Sequence, residues 1–194
     1  MSLAVVLRGT SAPAAGTEAP ASSTAAATWA TGKQRAPEFS LRDEQGKPIS
    51  LATLRGRTVL VTFIDPLCRD FCPVEAQRLS DAVRSTTGVK PTIVAVSVNT
   101  AGNRADILRV DERKWNVVPQ WRWAVGSEAA LARVWHAYHI AVLTTTKTVA
   151  GVRVRNVAHT EASYLIDGNG NERALFIWPY TSDAVTKALR ATTS

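Results

Sequence analysis

The sequence is poor in cysteine and contains no long hydrophobic run. Only two cysteines occur among its 194 residues, both in one short segment, so a framework of structural disulfides is excluded. No stretch of about 18 apolar residues is present, and we therefore predict no transmembrane helix. The apolar residues 4–7 are too few for a signal peptide. If residues 1–3 are an expression remnant, the natural protein can begin upstream, with room there for an anchor or signal.

Long runs of like charge are also absent, although the chain is basic. The net charge is +7, but the Lys and Arg residues are dispersed, with no run of five or more and no extended basic motif interleaved with aromatic residues. Nucleic-acid binding is therefore not predicted. The charge is interpreted as a solvated surface that aids encounter with an acidic partner. A hydrophobic content of 45% is sufficient for an ordinary folded core.

Composition divides the chain into two parts. Residues 8–33 are rich in Ala, Ser, Thr, Pro and Gly, and such a segment buries too little apolar surface to fold alone. We predict a flexible linker over residues 1–34 and one folded domain over residues 35–194. A linker ahead of a compact domain suits a domain that is tethered to a membrane.

The pattern of apolar residues predicts alternating strands and helices, and hence an α/β domain with a mixed sheet. Pro73 is expected at the first position of one helix, and Ser127 is expected to cap another. A last helix is expected to be capped by Thr181 or Ser182. The other predicted elements are strands at 58–64, 92–98 and 121–125, a helix at 105–115, and hairpins at 39–48, 140–158 and 162–178.

The two cysteines, Cys68 and Cys72, lie between a buried strand and the following helix. Ligands of open α/β sheets bind at this end of the strands. The start of a helix carries a partial positive charge, which stabilises a thiolate. The spacing suits either a small disulfide or two sulfur ligands on one metal ion, and the pair alone does not decide between them.

The three histidines bear on that choice to different degrees. His136 and His139 share a helix face, but the helix buries apolar residues and no third ligand accompanies them, so a structural role is favoured. His159 is predicted to lie in a loop just before the strand at 163–167. A loop histidine is usually structural or solvated unless a further reason makes it a ligand.

Several motifs resemble a known family. Residues 37–41, 46–51 and 54–63 resemble the opening of a thioredoxin-fold protein. The run from Cys68 through Asp70 to Cys72 and Pro73, with His159 far downstream, is similar to the Sco/SenC family. The resemblance extends over about residues 36–190, nearly the whole predicted domain.

The resemblance implies a copper-binding metallochaperone with a thioredoxin-like fold: a central mixed sheet flanked by helices, with an extra β-hairpin. Its metal ligands would be Cys68, Cys72 and His159, a soft donor set that suits Cu(I) and also accommodates Cu(II) with an added ligand. We expect the second ring nitrogen of His159 to donate to a carbonyl or carboxylate.

The resemblance also implies a partner and a location. The partner would be the copper-site subunit of cytochrome c oxidase, which contains the copper A centre, or another copper-accepting protein. The location would be periplasmic or otherwise extracytoplasmic, with the protein tethered to the inner membrane. We expect a monomer, and a carrier rather than a turnover enzyme.

The sequence departs from the family pattern at a few positions. Arg69 stands where the family often has proline, and residues 65–67 and 137–140 also differ. None of these is a proposed ligand. Asp70 matches the motif, and its expected role is to cap the helix or to modulate the thiols, unless it is merely a solvated turn residue.

Three alternatives to a copper carrier remain. A thiol-disulfide oxidoreductase would use Cys68 and Cys72 as its catalytic residues, although the spacing and the lack of proline in residues 157–161 are less typical of that class. A peroxiredoxin-like peroxidase needs a sequence context that Pro66 and Cys68 do not provide. A structural disulfide across so short a loop would contribute little stability.

Overall fold

The computed structural model describes residues 20–192, which form four helices and ten strands. Two short 3-10 helices, Ala52–Leu54 and Thr100–Gly102, lie in connections. The helices are α1 (Phe71–Arg84), α2 (Ala105–Lys114), α3 (Glu128–Ala137) and α4 (Ser182–Thr192). The strands are β1 (Ala27–Thr28), β2 (Ser40–Arg42), β3 (Pro48–Ser50), β4 (Val59–Ile64), β5 (Thr92–Ser97), β6 (Trp121–Ala124), β7 (Val142–Val149), β8 (Val152–His159), β9 (Ala162–Ile166) and β10 (Glu172–Ile177).

A six-stranded mixed sheet organises the domain, in the order β1-β10-β9-β4-β5-β6. Strand β5 is parallel to both β4 and β6, whereas β9 is antiparallel to both β4 and β10. Every residue of β4 and β5 is buried, as expected for a continuous β-branched and apolar run between two layers. The predicted α/β class with a central mixed sheet is confirmed.

Two hydrophobic layers cover the faces of this sheet. Along β4, Leu60 and Ile64 pack into one layer, while Val61 and Phe63 pack into the other. The first layer contains residues of α1, α2 and α4, and the second contains residues of α3 and of the β2–β3 hairpin. Helices on both faces therefore hold the central strands rigidly and fix the position of the turn that follows β4.

The ends of the helices differ in detail from the sequence prediction. Helix α1 begins at Phe71, so Pro73 is its third residue rather than its first. Ser127 caps α3 as predicted, since its side chain accepts a hydrogen bond from the Ala130 N–H. At α4, Thr181 is the cap, because its Oγ1 accepts from the Ala184 N–H at 3.2 Å.

Strands β7 and β8 form the extra hairpin that was predicted, and they make a separate two-stranded sheet. Most of their side chains are exposed, unlike those of the central strands. The hairpin therefore projects from the domain, and the last part of β8, residues 155–159, lines a cavity together with the turn that contains the cysteines.

Part of the segment whose composition suggested a linker packs against the domain. The Ser22 N–H donates to the Pro179 carbonyl and the Ala26 N–H donates to the Leu175 carbonyl, each at 2.8 Å, and β1 pairs with β10. Backbone pairing of this kind needs no apolar pattern, so composition does not reveal it. The rest of the predicted linker, residues 1–19, lies outside the described residues. Among residues 20–192, no helix is both long and apolar enough to cross a membrane.

Candidate metal centre

The turn between β4 and α1 holds both cysteines. Asp65 organises it, because its Oδ1 accepts from the Leu67 N–H at 2.8 Å and its carbonyl accepts from the Cys68 N–H at 3.0 Å. Cys68 is partly buried in the turn, whereas Cys72 is the second residue of α1 and only 2% exposed. Both cysteines are free thiols. Cys68 is therefore partly accessible, and Cys72 is not.

The two thiols differ strongly in acidity. A hydrogen bond from the Cys72 thiol, helped by backbone N–H groups at the start of α1, lowers the pKa of Cys68 to about 6 against the effect of burial. The same hydrogen bond, together with burial, raises the pKa of Cys72. At neutral pH the pair therefore consists of a thiolate at Cys68 and a thiol at Cys72.

His159 is the last residue of β8, opposite Val142, and so it is not in a loop as predicted. Its Nδ1 lies 3.1 Å from the Thr160 carbonyl oxygen. A carbonyl accepts only, so Nδ1 carries the proton and Nε2 keeps a free lone pair. Burial lowers the pKa of His159, which favours the neutral ring that binds metals. The expected hydrogen bond from the second ring nitrogen is confirmed, and Thr160 is its partner.

Cys68 and His159 lie on the wall of one cavity of about 500 Å³. Cys72 is not part of the wall. Among residues 20–192, no group of three or more His, Cys, Asp or Glu side chains is already arranged to hold a metal ion. The structure thus places two of the three predicted ligands on the wall of one cavity, whereas the third, Cys72, is buried in α1.

The donor set nevertheless has the chemistry that a soft metal ion needs. It comprises one thiolate, one thiol that can lose its proton to a bound cation, and one neutral imidazole. By contrast, His136 and His139 are both exposed, and neither lines this cavity. His139 has a φ of 56°, and it follows the last turn of α3.

Sequence analysis missed a buried polar network directly below Cys72. Glu75 is 1% exposed, and its Oε1 accepts hydrogen bonds from Thr62 at 2.7 Å and from Ser163 and Tyr180 at 3.0 Å each. Burial raises the pKa of Glu75 to about 7, although these hydrogen bonds oppose the change. Glu75 follows Cys72 by three positions, and this spacing on the buried helix face was the available signal.

A second contact that sequence analysis missed holds Arg69 in place. The Arg69 Nη1 donates to the carbonyls of Pro66 at 2.9 Å and Cys68 at 2.7 Å, and its Nη2 lies 3.5 Å from Oδ1 of Asp111 on α2. Asp111 is buried, and burial raises its pKa. Asp70 precedes α1, but its side chain makes no capping hydrogen bond. The basic residue at the unusual motif position thus tethers the turn to a neighbouring helix, and the capping role expected for Asp70 is not observed.

Comparison with known proteins gives consistent findings. The sequence model of the SCO1/SenC family matches residues 28–194. The chain is 27% identical over 135 residues to a mouse (Mus musculus) protein described as "Protein SCO2 homolog, mitochondrial". That match covers 69% of this chain and 52% of the mouse protein, so the chain spans about half the length of this curated relative.

Solved structures with a similar fold include proteins with copper bound. Bradyrhizobium japonicum ScoI with copper bound has a TM-score of 0.69 at 21% identity, covering 81% of this chain and 99% of that one. Yeast Sco1 with copper bound has a TM-score of 0.71 at 19% identity, covering 83% and 90%. These likenesses confirm the predicted thioredoxin-like fold.

Proposed function

Because the chain belongs to the SCO1/SenC family, we propose that it is a copper-binding metallochaperone. The observation that carries the proposal is the arrangement of Cys68 and His159. An acidic thiol, hydrogen-bonded to a second thiol, and a neutral imidazole lie on the wall of the same cavity. The copper-bound relatives support copper as the cargo.

In this proposal the copper ligands are the sulfurs of Cys68 and Cys72 and the Nε2 of His159. The Cys68 thiolate is available without a change of protonation, and it would make the first bond to an arriving Cu(I) ion. Binding would then displace the proton of Cys72, since a coordinated thiol is deprotonated. The Thr160 carbonyl would keep Nε2 directed for ligation, because it fixes the proton on Nδ1.

The cargo would be delivered to the copper A centre of cytochrome c oxidase or to another copper-accepting protein. The family to which the chain belongs and its resemblance to assembly proteins for that centre support this destination. We further propose an extracytoplasmic location with a membrane tether ahead of the domain, and a monomeric carrier. The partial exposure of Cys68 on the cavity wall supports hand-over by exchange of ligands with a docked acceptor.

Copper loading of the reduced protein tests the ligand set. Stoichiometric copper and a sulfur-to-copper charge-transfer band with Cu(II) are expected for the wild type. His159→Ala should lose the band and weaken copper binding by at least about tenfold, the loss typical of removing even an indirect partner of a metal site. The control is His139→Ala, which removes an exposed imidazole outside the cavity lining. It should leave the charge-transfer band and the copper affinity unchanged. Equal binding by the two variants would contradict the assignment of His159.

A second function is favoured by the unequal acidity of the thiols. The Cys68 thiolate would attack one sulfur of a client disulfide and release the other as a thiolate. The Cys72 sulfur, on losing its proton, would then attack Cys68, so that the client leaves with two thiols and a Cys68–Cys72 disulfide remains. Failure of the reduced wild type to bind copper, together with rapid reduction of a model disulfide, would favour this oxidoreductase over the carrier.

A further inference from the structure

The pairing register of the projecting hairpin assigns its side chains to two faces. Directly opposite residues share a face, and His159 is opposite Val142, while Arg155 is opposite Thr146 and Arg153 is opposite Thr148. Alternation along β8 therefore places Arg153, Arg155 and His159 on one side of the hairpin, which we call the His159 face. This face is defined by residues 153, 155, 157 and 159 of β8 and residues 142, 144, 146 and 148 of β7.

The His159 face is basic along its outer part. Arg153 and Arg155 are both exposed, and residues 142–159 contain no Asp or Glu. The Nη2 of Arg155 lies 3.4 Å from Oγ1 of Thr144 on the same face, so its guanidinium lies across the hairpin surface. At the usual rise along a strand, Arg155 is about 13 Å from His159 and Arg153 about 20 Å.

This basic face is continuous with the candidate metal centre. Arg155, Val157 and His159 line the cavity that Cys68 also lines, together with Asn156 and Ala158 from the other face of β8. A molecule that lies along the outer hairpin therefore reaches the cavity that Cys68 lines. Arg153 and Arg155 are not among the proposed metal ligands. Their position lets them contact a molecule that approaches those ligands.

We propose that the His159 face is a docking surface for an acidic region of the copper-accepting protein. The proposal rests on the proposed function, because it concerns the acceptor of that same cargo. Two carboxylates about 7 Å apart on the acceptor would match the spacing of Arg153 and Arg155. Complementary charges of this kind raise association rates and fix the orientation of a transient complex.

An acidic protein surface fits this face better than an anionic membrane does. Segments that bind a membrane surface carry large apolar side chains beside their basic ones, and the apolar side chains enter the lipid. The exposed large apolar side chains of the hairpin, Leu143 and Val154, lie on the opposite face. The threonines and arginines of the His159 face are suited to polar and ionic contacts.

The test measures Cu(I) transfer to a synthetic peptide that contains a Cys-x3-Cys pair flanked by glutamates. A second peptide with glutamines in place of the glutamates is the neutral probe. The test variant is Arg153→Glu/Arg155→Glu. The control is Arg133→Glu/Lys187→Glu, which makes the same change of net charge at exposed positions outside the cavity lining.

At low salt, the test variant should transfer copper to the acidic peptide at least about tenfold more slowly than the wild type. Transfer to the neutral peptide should change less than about twofold, and added salt should narrow the difference. An equal decrease in the control variant would overturn the proposal, because net charge alone would then explain the effect. Unchanged transfer with lost binding to phosphatidylglycerol vesicles would overturn it in favour of a membrane site.

A copper-free measurement separates this proposal from the proposed function. Fluorescence anisotropy of the labelled acidic peptide, with its thiols blocked, reports docking alone. If the wild type binds no copper but the test variant still loses peptide binding, docking stands and the carrier function fails. If copper binding is intact and peptide binding is equal in the wild type and test variant, the docking surface is refuted and the carrier function stands.

Discussion

The hydrogen bond between the two thiols gives a quantitative prediction. With a pKa of about 6 rather than its ordinary value of 9.0, Cys68 is about 90% thiolate at pH 7 instead of about 1%. The hydrogen bond from Cys72 is the largest cause of this difference. In Cys72→Ala the donor is lost, and we expect the pKa of Cys68 to rise by at least about one unit, which leaves half or less of the thiolate at pH 7.

The matched control is Cys72→Ser, which keeps a donor at the same position. Both variants leave Cys68 as the only cysteine, so the ultraviolet absorbance of the thiolate and the rate of alkylation against pH report on it alone. The pH midpoint of Cys68 ionisation should be highest in Cys72→Ala and lower in Cys72→Ser. Identical midpoints in the two variants and the wild type would refute the reasoning and assign the acidity to the backbone of α1.

The lowered pKa of Cys68 also makes the free energy of unfolding depend on pH. The pKa of Cys68 is lowered on folding, so its contribution is fully present above the unfolded value near 9 and is lost as pH falls through about 6. Partial exposure of Cys68 to solvent reduces the size of this effect. Cys72→Ala should therefore flatten the rise in unfolding free energy between these pH values, as urea titrations would show.

Three further predictions concern buried polar groups. The pKa of Glu75 is raised on folding from 4.5 to about 7. The free energy of unfolding should therefore decrease by up to about 3 kcal/mol as pH rises through this range. In urea titrations, Glu75→Gln should not show this decrease. Asp111→Asn should change the free energy of unfolding by no more than about 1 kcal/mol in urea titrations, because its ion pair with half-exposed Arg69 only partly offsets the cost of burial. Trp135→Phe leaves the Ser97 carbonyl without its 3.0 Å donor, and should lower the thermal midpoint in step with a loss of about 1–3 kcal/mol. A loss above about 3 kcal/mol in Asp111→Asn, or none in Trp135→Phe, would contradict these assignments.

The local sequence pattern was sufficient to predict most of the fold. The continuous apolar runs now seen as Val59–Ile64 and Thr92–Ser97 have no other favourable position than the middle of a covered sheet. The cap at Ser127 was readable because hydroxyl side chains at such positions accept helix N–H groups. The start of α1 was misplaced by two residues, since Phe71 and Cys72 carry no boundary signal of their own.

The candidate site could be predicted only in part. Its cysteines stand in one segment, and the family resemblance supplied His159. The Arg69–Asp111 contact joins residues far apart in the chain, and neither residue has a local pattern that predicts it. The position of His159 at the end of β8 depends on its pairing with Val142, which is a property of the register and not of either residue alone.

The separate β7–β8 sheet has a consequence for how this protein can diverge. Because its hydrogen bonds close within the hairpin, an insertion or deletion there need not disturb the six-stranded sheet. Adding two residues to each strand would move the tip about 7 Å further out and keep the same side chains on the His159 face. An odd insertion in β8 between Arg155 and His159 would instead turn the arginines to the opposite side. Relatives in which each strand is longer or shorter by an even number of residues would keep the arginines on the His159 face and change only the length of the hairpin.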